Sequence, residues 1–343
     1  MCHGGSMSES AATERTGSCE RDHLARALVW DNHGCMPLRS DASFLPQLER
    51  YRSSGVTVVS LNVGFADTPW TDDLRILSFM RQWIARRPDR YLLVDSVADI
   101  RSCRESGKLG IVFDIEGMNP VQNDSALVQT FYELGVRWML IAYNRNNGAG
   151  GGCLDADGGL TAIGRSILDE MERVGMMLCL SHTGARTAAE ALEYRHSPTI
   201  FSHSNPYGDT PQSRNISDAL IRACARKGGV IGISGIGPYL GTGASLVECL
   251  LRQIRYVVDL VGADHVGLGL DYVFDRTELD KYLRLNPQLF PPTLLDDGGG
   301  IAMIEPEAVP EIAAGLARAN FSQAQIDDIL GGNWLRVAAK VWR

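Results

Sequence analysis

The sequence predicts an α/β fold in which eight strand–helix units close into one (β/α)8 barrel. Short apolar runs rich in β-branched residues alternate with helical patterns from Ala27 to Val341. The runs do not alternate polar with apolar residues, so each strand has both faces buried, as in a parallel sheet covered by helices. No Gly-x-Gly-x-x-Gly turn follows the first run, which disfavours an open, doubly wound sheet. The 343 residues suffice for a barrel, which commonly takes about 250.

The elements follow in order. Ala27 to Trp30 is the first strand, and it runs into a loop carrying His33 and Cys35. Pro46 to Ser54 is helical and Gly55 stops it. Val56 to Val63 is the second strand. Asp72 to Arg87 is an amphipathic helix, with Leu74, Leu77, Met80 and Ile84 at helical spacing and Pro88 beyond its end. Tyr91 to Gly107 reads as a small extra element. Leu109 to Ile115 is the third strand and ends in Glu116-Gly117; Leu127 to Leu134 is a helix. Val136 to Tyr143 is the fourth strand. The Gly- and Asn-rich stretch Asn144 to Gly159 has no pattern, and a loop of that length is a functional candidate. Thr161 to Val174 is helix, Met176 to Leu180 the fifth strand and Ala185 to Tyr194 helix. Thr199 to Phe201 is the sixth strand, Asp218 to Lys227 helix, Val230 to Ser234 the seventh strand and Ser245 to Val261 helix. His265 to Leu270 is the eighth strand and ends in Asp271. Phe274 to Gly300 is irregular and rich in Pro and Gly. Pro310 to Asn320 and Ser322 to Val341 are helical, with Ser322 as an N-cap.

Composition narrows the function. A net charge of −8 with no long basic run argues against nucleic acid and anionic membranes as partners. Eight cysteines are scattered without the spacing of a zinc knuckle or redox pair, and Cys179, Cys224 and Cys249 lie in apolar runs. Buried, reduced thiols are expected. No run is long enough to span a bilayer, and Met1 to Arg21 lacks the apolar core of a signal peptide, so a cytoplasmic protein is expected. Residues 1–21 read as a polar leader, disordered or left by cloning, which sets Cys2 and His3 aside; 22–343 read as one barrel domain.

In a barrel, residues just after the strands share one rim, where active sites lie. His33 and Cys35 follow the first strand, Glu116 the third, Tyr143 the fourth, His182 the fifth, His203 the sixth and Asp271 the eighth. These His, Cys, Glu and Asp residues are ligand types for zinc and similar divalent ions. Singly, each has a plain structural role: His182 and His203 could cap the helices that follow, and Glu116 could pair with an arginine beneath the rim. Their joint placement is the argument for a metal. His23, His196 and His265 lie at helix ends or a strand's start and are assigned structural roles.

The motifs Asp31-Asn32-His33, Asp114-Ile115-Glu116-Gly117, Leu180-Ser181-His182, Ile200-Phe201-Ser202-His203-Ser204, Ser213-Arg214-Asn215, Val266 to Asp271 and Gly332 to Val337 together resemble the renal (membrane) dipeptidase family of zinc peptidases, amidohydrolase-like barrels. The resemblance runs from about Val29 to Val337. It implies that His33 ligates a first metal, Glu116 bridges two, His182 and His203 hold the second, and Asp271 sits by a bridging water. Arg214 would grip the free carboxylate of a dipeptide, a task suited to its planar fork. Asp271 would take a proton from the water and pass it to the leaving amine. The implied cofactor is zinc, one or two ions per chain, with manganese or iron as alternatives. The implied partner is a small dipeptide or amide substrate, and a homodimer is expected by analogy.

Two positions depart from that family. His-x-Asp after the first strand is here His33-Gly34-Cys35. Cys35 either ligates as a thiolate or leaves the first metal short of a ligand. A Tyr at 143 replaces the family's His, thought to stabilise the tetrahedral oxyanion; its hydroxyl can donate to the same oxygen. Three readings follow. The first is a metal-dependent hydrolase of dipeptide-like amides. The second is a one-metal barrel enzyme, hydrolase or lyase, acting on another small amide or carboxylic acid, which Cys35 favours. The third is a non-catalytic binding protein, against which the full set of Glu116, His182, His203, Arg214 and Asp271 stands.

Overall fold

The β-branched runs form strands β1 to β10 in a computed structural model that describes residues 26–66, 68–291, 294 and 300–343. Eight of them make a closed parallel barrel: β1 (Trp30–Cys35), β2 (Val58–Phe65), β4 (Leu109–Glu116), β5 (Val136–Leu140), β6 (Met177–Cys179), β7 (Ile200–Phe201), β8 (Val230–Ile233) and β9 (Val266–Leu268). The ring closes where Asp31 of β1 pairs with Leu268 of β9. Two short strands lie outside it: β3 (Tyr91–Leu93) pairs with β4, and β10 (Tyr272–Val273) with β1. The extra element expected at 91–107 is therefore β3 and the helix Val97–Ser106. The leader expected at 1–21 and His23 lie outside the described residues.

Helices cover the outside, and their ends follow local chemistry. Ser96 and Ser322 close capping boxes with Asp99 and Gln325, while Thr161, Ser217 and Ser245 cap with their side-chain oxygens. The barrel is plugged at the N-terminal ends of its strands. Trp30, Trp138 and Trp334 are buried there with Val337 of the C-terminal helix Asn333–Val341. The Trp334 indole donates to the Leu268 carbonyl at 3.1 Å, and a Cβ on Gly267 would stand 2.6 Å from its ring. Only glycine allows that seal. Cys103, Cys179, Cys224 and Cys249 are buried, free thiols. Among the described residues no helix is long and apolar enough to cross a membrane.

Three expectations need correction. The first strand is Trp30–Cys35, so His33 and Cys35 lie in β1 itself and not in a loop after it. The Asp31–Asn32–His33–Gly34 run was misread because polar residues interrupt its apolar pattern. Asn32 and His33 face the barrel interior, Asn32 accepting from Ser60 Oγ at 2.7 Å and His33 lying by the Trp138 ring, while position 34 faces Tyr51 and Leu61; tertiary context overrides propensity. The stretch 274–300 is not wholly irregular: Arg276–Leu285 is a helix, capped by the Asp275 side chain accepting from the Glu278 amide. The helix expected over 322–341 is divided by a π-helical turn at Asp328–Gly332.

Candidate metal centre

Each candidate ligand stands on a strand or just past one, at the C-terminal rim. His33 lies in β1, where β1 carries one more residue than β2 between the pairs Asp31–Val59 and Gly34–Leu61. Such bulges re-aim side chains beside active sites. Glu116 ends β4. His182 follows β6 with φ +63°, and Asp271 follows β9 with φ +61°. Left-handed backbone is rare outside glycine and clusters at functional sites.

The side chains converge. Glu116 Oε1 lies 3.5 Å from His33 Nε2, 3.5 Å from His182 Nε2 and 3.4 Å from His203 Nε2. His182 Nε2 and His203 Nε2 are 2.8 Å apart. The His33 ring stacks on that of His203 with centroids 4.1 Å apart. Asp271 Oδ1 is 3.6 Å from His33 Nε2. On the far side of the His33 ring, Asp114 Oδ2 is 3.6 Å from Nδ1, the arrangement by which carboxylates orient metal-binding histidines. Asn62 takes the other Glu116 oxygen, Nδ2 to Oε2, at 3.4 Å. His203 Nδ1 meets Ser202 Oγ at 2.8 Å, and His182 Nδ1 meets Asn144 Oδ1 at 2.7 Å.

This donor set fits a divalent cation. Both nitrogens of His33, both oxygens of Asp114 and Glu116 Oε1 are buried without a hydrogen-bond partner. Polar groups orphaned in this way are costly unless something charged joins them. Donors on a tetrahedral zinc ion, with bonds of about 2.0–2.2 Å, stand roughly 3.3–3.5 Å apart, close to the spacings around Glu116. Burial pushes the Glu116 and Asp114 carboxyls upward. Burial would lower His33, but Glu116, Asp114 and Asp271 together overrule it and favour imidazolium. Burial, with Arg214 and His33, holds His182 and His203 well below the usual histidine range. Two neutral imidazoles facing each other leave lone pairs aimed at one place.

The other expected residues are placed as follows. The ligand atoms that all lie within 4.8 Å of one another, among the described residues, belong to His33, Glu116 and His203. His182 is not one of that mutually close set but stands against it, its Nε2 near Glu116 and His203; Cys35 does not join them. It is half-buried at the wall of an adjoining cavity of about 380 Å³, whose lining includes Phe65, Tyr143, Tyr282 and Phe290. Burial, then Glu116 and Asp271, pushes its thiol well above its ordinary value. Tyr143 lies beyond β5, its ring stacked on His182 with centroids 4.0 Å apart. Burial and Glu116 keep its phenol protonated. Arg214 is buried behind the histidines and donates to Ser204 Oγ at 3.1 Å and to the His203 carbonyl at 2.8 Å. His265 caps the Gly229 carbonyl through Nδ1 at 2.8 Å, away from the site.

Sequence reading missed Asn62, Asp114 and Asn144. Asp114 was within reach: it is two residues before Glu116 in one strand, hence on the same face. Asn62 and Asn144 carry no such signal, because their roles arise only from cross-strand and loop contacts.

A closed (β/α)8 barrel with His and Glu side chains gathered at its C-terminal rim has the layout of a metal-dependent barrel enzyme. The chain belongs to the membrane dipeptidase family, peptidase family M19, whose model matches residues 70–282; it is a hydrolase of the metallo-dipeptidase kind. An uncharacterized protein in the pqqA 5' region of Klebsiella pneumoniae is 30% identical over 279 residues, 78% of this chain and 95% of its own length. An uncharacterized dipeptidase of Schizosaccharomyces pombe is 30% identical over 286 residues, 80% of this chain and 64% of the yeast protein. The crystal structure of an amidohydrolase from Pseudomonas aeruginosa superposes with a TM-score of 0.86 at 27% identity, covering 94% of this chain and 99% of that one.

Proposed function

We propose that the chain hydrolyses the amide bond of a dipeptide or dipeptide-like substrate with a free carboxylate, at a single divalent ion held by His33, Glu116, His182 and His203. The observation that carries this is Glu116 Oε1: buried, without a hydrogen bond, and 3.4–3.5 Å from three imidazole nitrogens. Zinc suits the donor set. Such an ion supplies a water nucleophile at neutral pH and polarises the scissile carbonyl.

The chain's own residues would do the rest. Asp271 is 3.6 Å from His33 Nε2 and keeps partial access to solvent, so it is the base that takes a proton and hands it to the leaving amine. Tyr143, held as a neutral phenol, donates to the oxygen that gains charge. Arg214 directs three of its five N–H groups at Ser204, the His203 carbonyl and His182 Nδ1, and the two that remain serve the substrate carboxylate. The cavity beside Tyr143 is walled by Phe65, Tyr282 and Phe290, which supports an apolar side chain on the substrate. The name of the yeast relative, a dipeptidase, supports the same reading.

Cys35 favours one ion over two, since it lines the adjoining cavity and its thiol is pushed well above its ordinary value by burial, Glu116 and Asp271, which disfavours the thiolate a second ion would need. Elemental analysis of wild type and Cys35→Asp, with a panel of dipeptides assayed beside it, tests this. About one ion per wild-type chain, rising toward two in Cys35→Asp, is expected, with turnover of dipeptides that have an apolar side chain. Two ions in wild type would overturn the single-ion centre and make Cys35 a ligand or dispensable. A bound ion without turnover of any dipeptide would move the substrate to another small amide or carboxylic acid. Neither ion nor turnover would leave a binding protein.

A further inference from the structure

We propose that Asn144 is a positioning residue: it sets which nitrogen of His182 carries the proton, and it ties that ring to the segment 276–290 covering the rim. The side chain is buried, and both ends of its amide are bonded. Its Oδ1 lies 2.7 Å from His182 Nδ1 and accepts from the Cys153 thiol at 3.3 Å. Its Nδ2 donates to the Leu289 carbonyl at 2.8 Å.

That last bond settles the hydrogen positions. A carbonyl only accepts, so the amide nitrogen must face Leu289 and the amide oxygen must face His182. His182 Nδ1 therefore donates, and Nε2 is left with its lone pair toward Glu116 and His203. Arg214 Nε stands 3.2 Å from the same Nδ1. It too is a donor, so it competes with Asn144 for the opposite tautomer. With Arg214 as the sole partner, Nδ1 would accept and the hydrogen would move to Nε2, where it would block a cation.

The Gly-rich loop after Tyr143 is built to hold this residue. Asn144 has φ +57°, and its carbonyl accepts from the Leu154 amide at 2.8 Å. A Cβ on Gly152 would stand 2.2 Å from the Asn144 carbonyl carbon, so the loop folds back on Asn144 only with glycine there. The covering segment, helix Arg276–Leu285 with the turn Pro287–Leu289, is anchored twice by neighbours in this loop. Asn144 holds the Leu289 carbonyl, and Arg145 donates to the Gln288 carbonyl. Phe290 and Tyr282 of the segment reach Tyr143 and Phe65, with ring centroids 6.2 Å and 5.5 Å apart.

The half of the inference that concerns the ion rests on the metal centre proposed above. The test uses the full chain, zinc affinity by competition with a chromophoric chelator, and amide hydrogen exchange across 276–290. Asn144→Gly removes the side chain, and glycine accepts the left-handed backbone; circular dichroism checks the fold. Zinc affinity should fall about 10- to 100-fold, and exchange at 286–290 should quicken. Asn144→Asp keeps the acceptor and loses the donor, so affinity should match or exceed wild type while exchange still quickens. Arg145→Ala should quicken exchange alone. A folded Asn144→Gly that binds zinc within about threefold of wild type, or unchanged exchange in both Asn144 variants, overturns the inference. A wild type that takes up no zinc overturns the metal centre and the inference with it, which separates the two failures.

Discussion

Tyr143 tests whether a phenol can fill the oxyanion-stabilising role proposed above. The phenol stacks on the His182 ring, with 4.0 Å between centroids. Its hydroxyl is held protonated by burial and by Glu116. Tyr143→Phe removes one donor and little volume. Loss of a single oxyanion donor costs about 10²–10³ in kcat, so steady-state kinetics on an accepted dipeptide should show that drop with KM nearly unchanged. A KM rise at constant kcat would place Tyr143 in substrate binding alone. Asp114 and Asn144 belong to the layer behind the ligands. Asp114 Oδ2 lies 3.6 Å from His33 Nδ1 and Asn144 Oδ1 2.7 Å from His182 Nδ1, each on the side of the ring away from Glu116.

Between residues and the whole chain, the joint of β2 with the helix Trp70–Ala85 deserves a test of its own. Asp73 is buried in the first turns of that helix, and both its carboxylate oxygens lack a partner. Its carboxylate lies on Gly64 of β2, where a Cβ would come 2.7 Å from Cγ. Burial, then Asp72, raises its pKa from 3.8 to about 8. In the unfolded chain the group loses its proton near 4, whereas the folded chain keeps it until about 8. Folding therefore takes up a proton, and stability falls as pH rises across that window. Asp73→Asn cannot ionise. Its melting temperature should match wild type near pH 4 and exceed it by about 2 °C or more at pH 8. A difference that stays constant with pH would mean that Asp73 is charged in the fold.

The barrel as a whole joins distant strands into one centre, so ion binding and folding are coupled. Residues 33, 116, 182 and 203 come from four strands or strand ends, and the unfolded chain offers no comparable cluster. An ion that binds only the fold adds RT ln(1 + [L]/Kd) to stability, about 2.7 kcal/mol at 100 times Kd. Calorimetry should show a melting temperature that climbs with zinc concentration in wild type. His203→Ala, which removes a ligand and leaves the Trp334 plug intact, should flatten that climb. An equal climb in both proteins would place the ion elsewhere.

Much of this was legible along the chain. Unbroken apolar runs separated by capped helices call for a parallel sheet with both faces covered, and eight units close it. Once a strand's end is known, His33, Glu116, His182, His203 and Asp271 fall on one rim, because parallel strands share their direction. The exceptions are physical. Polar Asp31 to Gly34 hid the true extent of β1, since an interior lined by a metal site reverses the usual apolar signal. The helix Arg276–Leu285 has one buried residue, Leu283, too few to print a periodic pattern. Sequence alone determined the barrel and its ring of ligand types, because periodicity and strand direction are local properties that repeat. Only the tertiary structure decided that Glu116 Oε1 stands equally near three imidazoles, that Cys35 lines the adjoining cavity, and that Asn144 and Arg214 both meet His182 Nδ1. Those outcomes depend on distances between residues tens to hundreds of positions apart, which no local pattern encodes.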